Sequence, residues 1–119
     1  MASKLVNQVK KKLAEGIEDY GAYTSPDFKE FARTFSKMVR EQLKEVGGTN
    51  YEQNTGHYYV SGFFTVGEQA YYISISDVRY FDVNNILIRT AKDYKDFHGG
   101  TNHYINIEDG MFKNVEYIR

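Results

Sequence analysis

The chain has 119 residues, with 15 Lys and Arg against 16 Asp and Glu and a net charge of −1, and this length is typical of a single domain. Its 41% hydrophobic and 26% charged residues exclude a chain that is disordered throughout. The absence of Cys excludes disulfides, thiol catalysis and Cys-based metal sites. The sequence also lacks an apolar run of membrane-spanning length and an apolar signal peptide, so we expect a cytoplasmic protein without membrane contacts.

The first predicted element is a helix over about residues 2–20. Gly21 is expected to end it. Its Lys residues come first and its acids last, an order that opposes the helix dipole. These charges therefore either lie on a solvated face or serve a partner. The helix is predicted from one apolar stripe, formed by Leu5, Val6, Val9, Leu13 and Ile17.

A second helix is predicted from a strong start signal. Ser25 can cap it, and Pro26 suits the first helical position. A wide apolar stripe then runs from Phe28 to Val46 and ends at Gly47–Gly48. Three of its apolar residues are Phe, which favours packing on a broad surface such as a sheet.

The second half of the chain predicts strands. Residues 49–56 are polar and are predicted to form a loop. Gly67–Glu68 suits a two-residue hairpin turn, residues 92–102 suit a polar loop, and residues 111–119 form a last element of unassigned type. The four predicted strands are residues 57–66, 69–78, 86–91 and 103–107. The sequence therefore predicts one α+β domain over residues 1–119, with two N-terminal helices packed on one face of a four-stranded antiparallel sheet.

The three His residues of the chain all fall in the strand half. His98 and His103 flank a glycine turn, and Asp96 lies close by in sequence. Imidazoles together with a carboxylate can coordinate zinc in the absence of Cys. His57 could be a further ligand if the first and fourth predicted strands are neighbours. We therefore predict a zinc site from His98, His103, His57 and Asp96, with surface histidines as the alternative.

Tyr accounts for 11 residues. Tyr-rich surfaces are typical of protein contacts. The high Tyr content also has an ordinary structural explanation, because Tyr favours β-strands. The loop before Gly99 contributes two further aromatic residues. Nucleotide-binding glycine loops and hydrolase motifs are absent, which favours a non-enzymatic binding protein. The predicted partner-binding residues are Tyr94, Phe97, Tyr58, Tyr72 and Tyr104.

Two other functions stay open from the sequence. A sheet face that carries tyrosines together with Arg79 and Arg89 is the kind of surface on which the bases of single-stranded nucleic acid can stack. The net charge of −1 argues against direct nucleic-acid binding. The other function is a metal-dependent hydrolase, in which Asp93 and Asp96 would hold a divalent cation. The free edges of such a sheet also leave a homodimer open.

The chain resembles the small accessory proteins of phages and prophages, and among them the type II anti-CRISPR proteins. The resemblance lies in its Lys-, Glu-, Asn- and Tyr-rich composition, single domain, lack of Cys and lack of catalytic motifs. The clustering of His57, His98 and His103 further resembles a zinc-binding member of that class. The resemblance implies an inhibitor that acts in the cytoplasm of a host bacterial cell. It would bind the RNA-guided effector nuclease of that host and block guide or target-DNA loading.

Overall fold

The computed structural model describes residues 3–15, 26–56, 59–75, 86–93 and 99–118. Two helices are followed by five strands and a short 3-10 helix. In chain order the elements are α1 (Lys4–Glu15), α2 (Pro26–Lys44), β1 (Gly48–Thr55), β2 (Val60–Val66), β3 (Gln69–Ile75), β4 (Ile86–Ala91), β5 (His103–Ile105) and the 3-10 helix (Val115–Tyr117). The predicted α+β class with the helices first is confirmed.

The sheet is an antiparallel meander in which the strand order follows the chain, β1-β2-β3-β4-β5. The predicted hairpin turn at Gly67–Glu68 joins β2 to β3. β4 has its predicted bounds, and β5 ends two residues earlier than predicted. The predicted strand residues 57–58 and 76–78, the predicted cap Ser25 and the predicted helical residues 16–20 lie outside the described residues.

The prediction of four strands is one short, because residues 49–56 do not form a loop. Residues 49–55 belong to β1, which pairs with β2 along the edge of the sheet. Only Tyr51 is buried in this strand, so the strand has no apolar alternation that sequence analysis could detect. A bulge between Thr49 and Glu52 places Asn50 at a φ of 60°, a conformation that Asn tolerates better than most residues.

Two side chains attach β1 to α2. The Tyr51 hydroxyl donates to Oε1 of Gln53 at 2.7 Å, and Nε2 of Gln53 donates to the Ala32 carbonyl at 2.9 Å. Burial raises the pKa of Tyr51 far above its ordinary value, although the Arg40 guanidinium acts in the opposite direction. The Tyr51 hydroxyl therefore keeps its proton and remains a donor. Its ring lies where a Cβ on Gly62 would come within 2.5 Å.

Both helices and the C-terminal segment cover the same face of the sheet. The α2 side chains Phe28, Phe31 and Phe35 are at most 1% exposed. On the sheet side, Phe64 packs against Phe112 with ring centroids 5.2 Å apart. The sheet contributes Val60, Phe64, Tyr71, Ile73, Ile75, Ile86 and Ile88 to this core. The C-terminal segment, to which the sequence assigned no type, thus forms turns and one 3-10 helix and completes the core.

A buried amide joins α2 to the turn after β5. Gln42 is only 1% exposed. Its Oε1 accepts from the Gly110 backbone N–H at 2.7 Å, and its Nε2 donates to Oδ1 of Asp109 at 3.4 Å. The same Asp109 oxygen accepts from the Ser3 backbone N–H at 2.9 Å. One side chain of α2 therefore connects the start of α1 with the C-terminal segment.

Asp109 also resolves the unfavourable order of charges in α1. The first turn of α1 contains no acidic residue, but Asp109 places a carboxylate at its start. Ser3 caps the helix because its Oγ accepts from the Val6 backbone N–H at 3.1 Å. A negative charge beside the free N–H groups stabilises a helix start, so the stabilising acid comes from the other end of the chain.

We predict that Gln42→Leu destabilises the protein by about 1–3 kcal/mol, because the Gly110 N–H loses its acceptor in a part-buried position. Urea unfolding followed by circular dichroism measures this free energy. Gln8→Leu is the matched control on the exposed side of α1 and should change stability by less than about 0.5 kcal/mol. Equal effects of the two substitutions would contradict the role assigned to Gln42.

We also predict that Gly62→Ala destabilises the protein by about 1–3 kcal/mol, because the new methyl group overlaps the Tyr51 ring. The same substitution should cost much less in a Tyr51→Ala background, since the overlap is then absent. A double-mutant cycle of unfolding free energies measures this coupling. Additive effects would show that the Tyr51 ring does not determine the need for Gly62.

Candidate binding face of the sheet

The sheet face opposite to the helices, here called the open face, has a composition of its own. Alternation along β3 places Tyr71, Ile73 and Ile75 in the core and leaves Tyr72 and Ser74 on the open face. The two faces follow the alternation in the sequence of this strand, in which apolar residues alternate with Tyr72 and Ser74. By register, the open face carries Thr49, Glu52, Asn54, Ser61, Phe63, Thr65, Ala70, Tyr72, Ser74, Leu87, Arg89, Ala91 and Tyr104.

One row of paired residues crosses the open face. Phe63 pairs with Tyr72, and Tyr72 pairs with Arg89. The Phe63 and Tyr72 ring centroids are 5.3 Å apart, and the Arg89 guanidinium lies 4.8 Å from the Tyr72 centroid. Arg89 Nη1 also donates to Oδ1 of Asn102 at 3.1 Å. The row therefore holds an aromatic pair and a cation in a fixed arrangement.

Arg89 is constrained in a second way. Its Nε is buried and finds no hydrogen-bond acceptor among the described residues. A buried donor without an acceptor costs free energy, and the packing of the guanidinium on Tyr72 and its bond to Asn102 oppose that cost. The side chain is thus ordered before any partner arrives.

Tyr104 is the most exposed aromatic side chain that the described strands place on the open face. It is 59% exposed and pairs with Leu87 of β4. Phe63, in contrast, is 3% exposed although it lies on the face away from the helices. The accessible part of the open face thus consists of Tyr104, the Arg89–Tyr72 pair and the polar side chains around them.

The open face is close to electrically neutral within the described strands. Its charged members are Glu52 and Arg89, one of each sign. The hydroxyl and amide side chains of Ser, Thr and Asn fill much of the remainder. A neutral surface with Tyr, Arg and small polar residues is typical of protein contact surfaces.

The structure separates the predicted metal ligand from the predicted contact residues. His103 pairs with Ile88 and therefore faces the helix side of the sheet, whereas Tyr104 faces the open side. His103 lines a cavity of about 290 Å³ between β5 and the C-terminal segment, together with Glu108, Lys113 and Ile118. The register thus assigns the two neighbours in sequence to opposite faces of the sheet, although Tyr104 also contributes to the lining of this cavity.

The zinc site stays a prediction. His57, His98 and Asp96 lie outside the described residues. Within the part of the chain that the structure describes, there is no group of three or more His, Asp or Glu residues that could hold a metal ion. The strand order also separates β2 from β5 by two strands, so the neighbouring arrangement that would bring His57 into the site is not the one observed.

The predicted contact residues are placed in part. Tyr72 and Tyr104 lie on the open face, on β3 and β5, and Tyr58, Tyr94 and Phe97 lie outside the described residues. Phe63 was missed, although the two-residue turn at Gly67–Glu68 fixes its pairing with Tyr72. Asn102 could not be found in this way, because the long connection of residues 92–102 separates it from Arg89 of β4.

No family model matches this chain, and neither a curated protein nor a solved structure is significantly similar to it. Among the helices that the structure describes, none has the length and apolar character needed to cross a membrane.

We predict a favourable coupling of about 0.5–2 kcal/mol between Arg89 and Tyr72, because a partly desolvated guanidinium packs on the ring. A double-mutant cycle with Arg89→Met and Tyr72→Leu measures it through unfolding free energies. Arg89→Met with Tyr117→Leu is the control cycle, because Tyr117 lies in the C-terminal 3-10 helix away from the open face, and this cycle should show no coupling. A coupling free energy between Arg89 and Tyr72 that is smaller than the experimental error would contradict the stacked arrangement.

Proposed function

We propose that this chain is a non-enzymatic inhibitor that docks on a protein partner through the open face. The observation that carries the proposal is the ordered Tyr72–Arg89 pair beside the exposed Tyr104 on a nearly neutral surface. Tyr and Arg contribute most strongly at the centres of protein interfaces. An interface that is ordered before binding also loses less conformational entropy when the complex forms.

The effector nuclease of type II CRISPR defence is the proposed partner, and blocked DNA loading is the proposed consequence. The partner follows from the resemblance in composition and organisation described above. A nearly neutral open face supports docking on the protein surface beside the nucleic-acid channel. It does not support mimicry of DNA, which needs a dense array of acidic side chains in a positively charged channel.

The geometry supports a protein partner better than a single-stranded nucleic acid. Base stacking needs an accessible ring face. The Tyr72 ring is covered by Arg89 and contacts Phe63, and Phe63 itself is 3% exposed. Among the predicted stacking residues that the structure describes, Tyr104 alone is largely accessible. The hydrolase alternative has no support from the described residues, in which no metal-ligand group is found.

We predict that Tyr104→Ala and Arg89→Ala each weaken binding to a purified type II effector by about 10-fold or more, since both would lie at the centre of the interface. Calorimetry with the effector, with and without its guide RNA, measures the affinity. A cleavage assay on target DNA measures the inhibition.

Tyr117→Ala is the matched control, because Tyr117 is 72% exposed and lies in the C-terminal 3-10 helix away from the open face. Its affinity for the effector should equal that of the unsubstituted chain. Failure of the chain to bind any form of the effector would overturn the proposed partner. Binding that Tyr104→Ala leaves unchanged would overturn the open face as the interface. Salt-sensitive binding of a single-stranded oligonucleotide that Tyr104→Ala abolishes would favour the stacking alternative.

A further inference from the structure

The positive charge of the chain is concentrated in its helical layer. α1 and α2 together contain nine Lys and Arg residues and four Asp and Glu residues. The two helices thus carry a net charge of +5, whereas the whole chain carries −1. The rest of the chain is therefore strongly negative. The near-neutral total charge hides a segregation of sign between the helices and the remainder of the protein.

The five basic residues of α2 form a single row along the helix. Consecutive members are separated by four, four, three and four positions. At 3.6 residues per turn, all five fall within an arc of about 80° and extend over about 22 Å. All five side chains are exposed. This basic row consists of Lys29, Arg33, Lys37, Arg40 and Lys44.

The basic row is not neutralised by neighbouring carboxylates in the described structure. The ion pairs found between described residues join Lys11 to Glu15 and Lys12 to Glu30, and neither includes a member of the row. Glu30 points towards α1, where Lys12 contacts it at 3.0 Å. Glu41 follows it by eleven positions, which is about three turns, and lies on the same flank. Glu30 and Glu41 thus lie on one flank of α2 beside the basic row, and among the described residues neither forms an ion pair with a member of the row.

One member of the row is held in place. Nε of Arg40 donates to Oγ of Ser36 at 3.2 Å, and the Arg40 guanidinium lies 5.3 Å from the Tyr51 ring centroid. An ordered cation loses less side-chain entropy when it meets an anion than a freely rotating one does. The row therefore combines flexible lysines with at least one fixed guanidinium.

We propose that the basic row binds the phosphodiester backbone of double-stranded nucleic acid. A duplex is a rigid rod that carries one negative charge per about 1.7 Å of its axis, and a straight row of five cations is complementary to such a linear charge. The contact reads no base sequence, because Lys and Arg contacts to phosphate carry no sequence information. The binding site lies in the helical layer and does not depend on the open face.

The apolar side of α2 argues against a membrane as the occupant. A helix that binds a bilayer surface inserts apolar side chains into it. Those of α2 are already buried against the sheet, and Phe31, Phe35 and Leu43 are at most 1% exposed. The row can therefore contribute electrostatic attraction but no inserted apolar surface. Such attraction is better matched to a dense linear polyanion.

The test is fluorescence anisotropy with a labelled DNA duplex of about 20 base pairs, titrated with the full chain between about 50 and 200 mM salt. We expect binding that weakens steeply with salt. Arg33→Glu with Lys37→Glu should weaken binding by at least about 10-fold at low salt. Removal of two phosphate contacts should also reduce the slope of log K against log salt by about two. The milder pair Arg33→Gln with Lys37→Gln should give the same slope change if charge reversal impairs folding.

Lys92→Glu with Lys113→Glu is the matched control, because it changes the net charge equally at two exposed lysines outside the helices. This control should bind DNA within about 2-fold of the unsubstituted chain, so that position and not total charge decides the affinity. An equal loss of DNA affinity in both double variants would overturn the proposal, as would the absence of any DNA binding at low salt. Binding to anionic phosphatidylserine vesicles without binding to DNA would replace the duplex by a membrane.

Discussion

The hydrogen bonds of Gln42 are the constraint on which the rest of the fold depends. One buried amide satisfies the Gly110 N–H and contacts Asp109, and Asp109 in turn binds the start of α1. Three parts of the chain that are distant in sequence thus meet at one point. An apolar side chain at this position could fill the volume but could not accept from the Gly110 N–H. The position therefore fixes how the C-terminal segment lies over the sheet.

The closed helix side of the sheet determines what the open face can do. Helices and the C-terminal segment bury most of one face, and Tyr51 over Gly62 extends that packing to the edge strand. The open face is then left with short polar side chains around one aromatic–cation row. Because Phe63 and Arg89 both pack on Tyr72, the row is a rigid contact surface and not a set of free rings. That rigidity favours recognition of a shaped surface over the stacking of mobile bases.

The proposed surfaces lie on opposite layers of the domain and differ in chemistry. The open face is nearly neutral and rich in hydroxyl and amide groups, whereas the exposed side of α2 is a row of cations. The two proposals assign a protein partner to the open face and a nucleic-acid duplex to the basic row. The charge of each layer, and not the total charge of the chain, decides which partner it suits.

The sequence by itself determined the α+β class, the start of α2 at Pro26, the hairpin at Gly67–Glu68 and the two faces of β3. These features follow from local signals, namely apolar periodicity and turn chemistry. Only the tertiary structure decided that the polar residues 49–55 belong to a strand, because β1 is held by edge pairing and by Gln53 bonding to α2. It also decided that His103 and Tyr104 lie on opposite faces of the sheet, since the register of β5 on β4 assigns the faces. Contacts between distant residues leave no periodic trace in the sequence, and for that reason the fold class was predictable while most of the binding face was not.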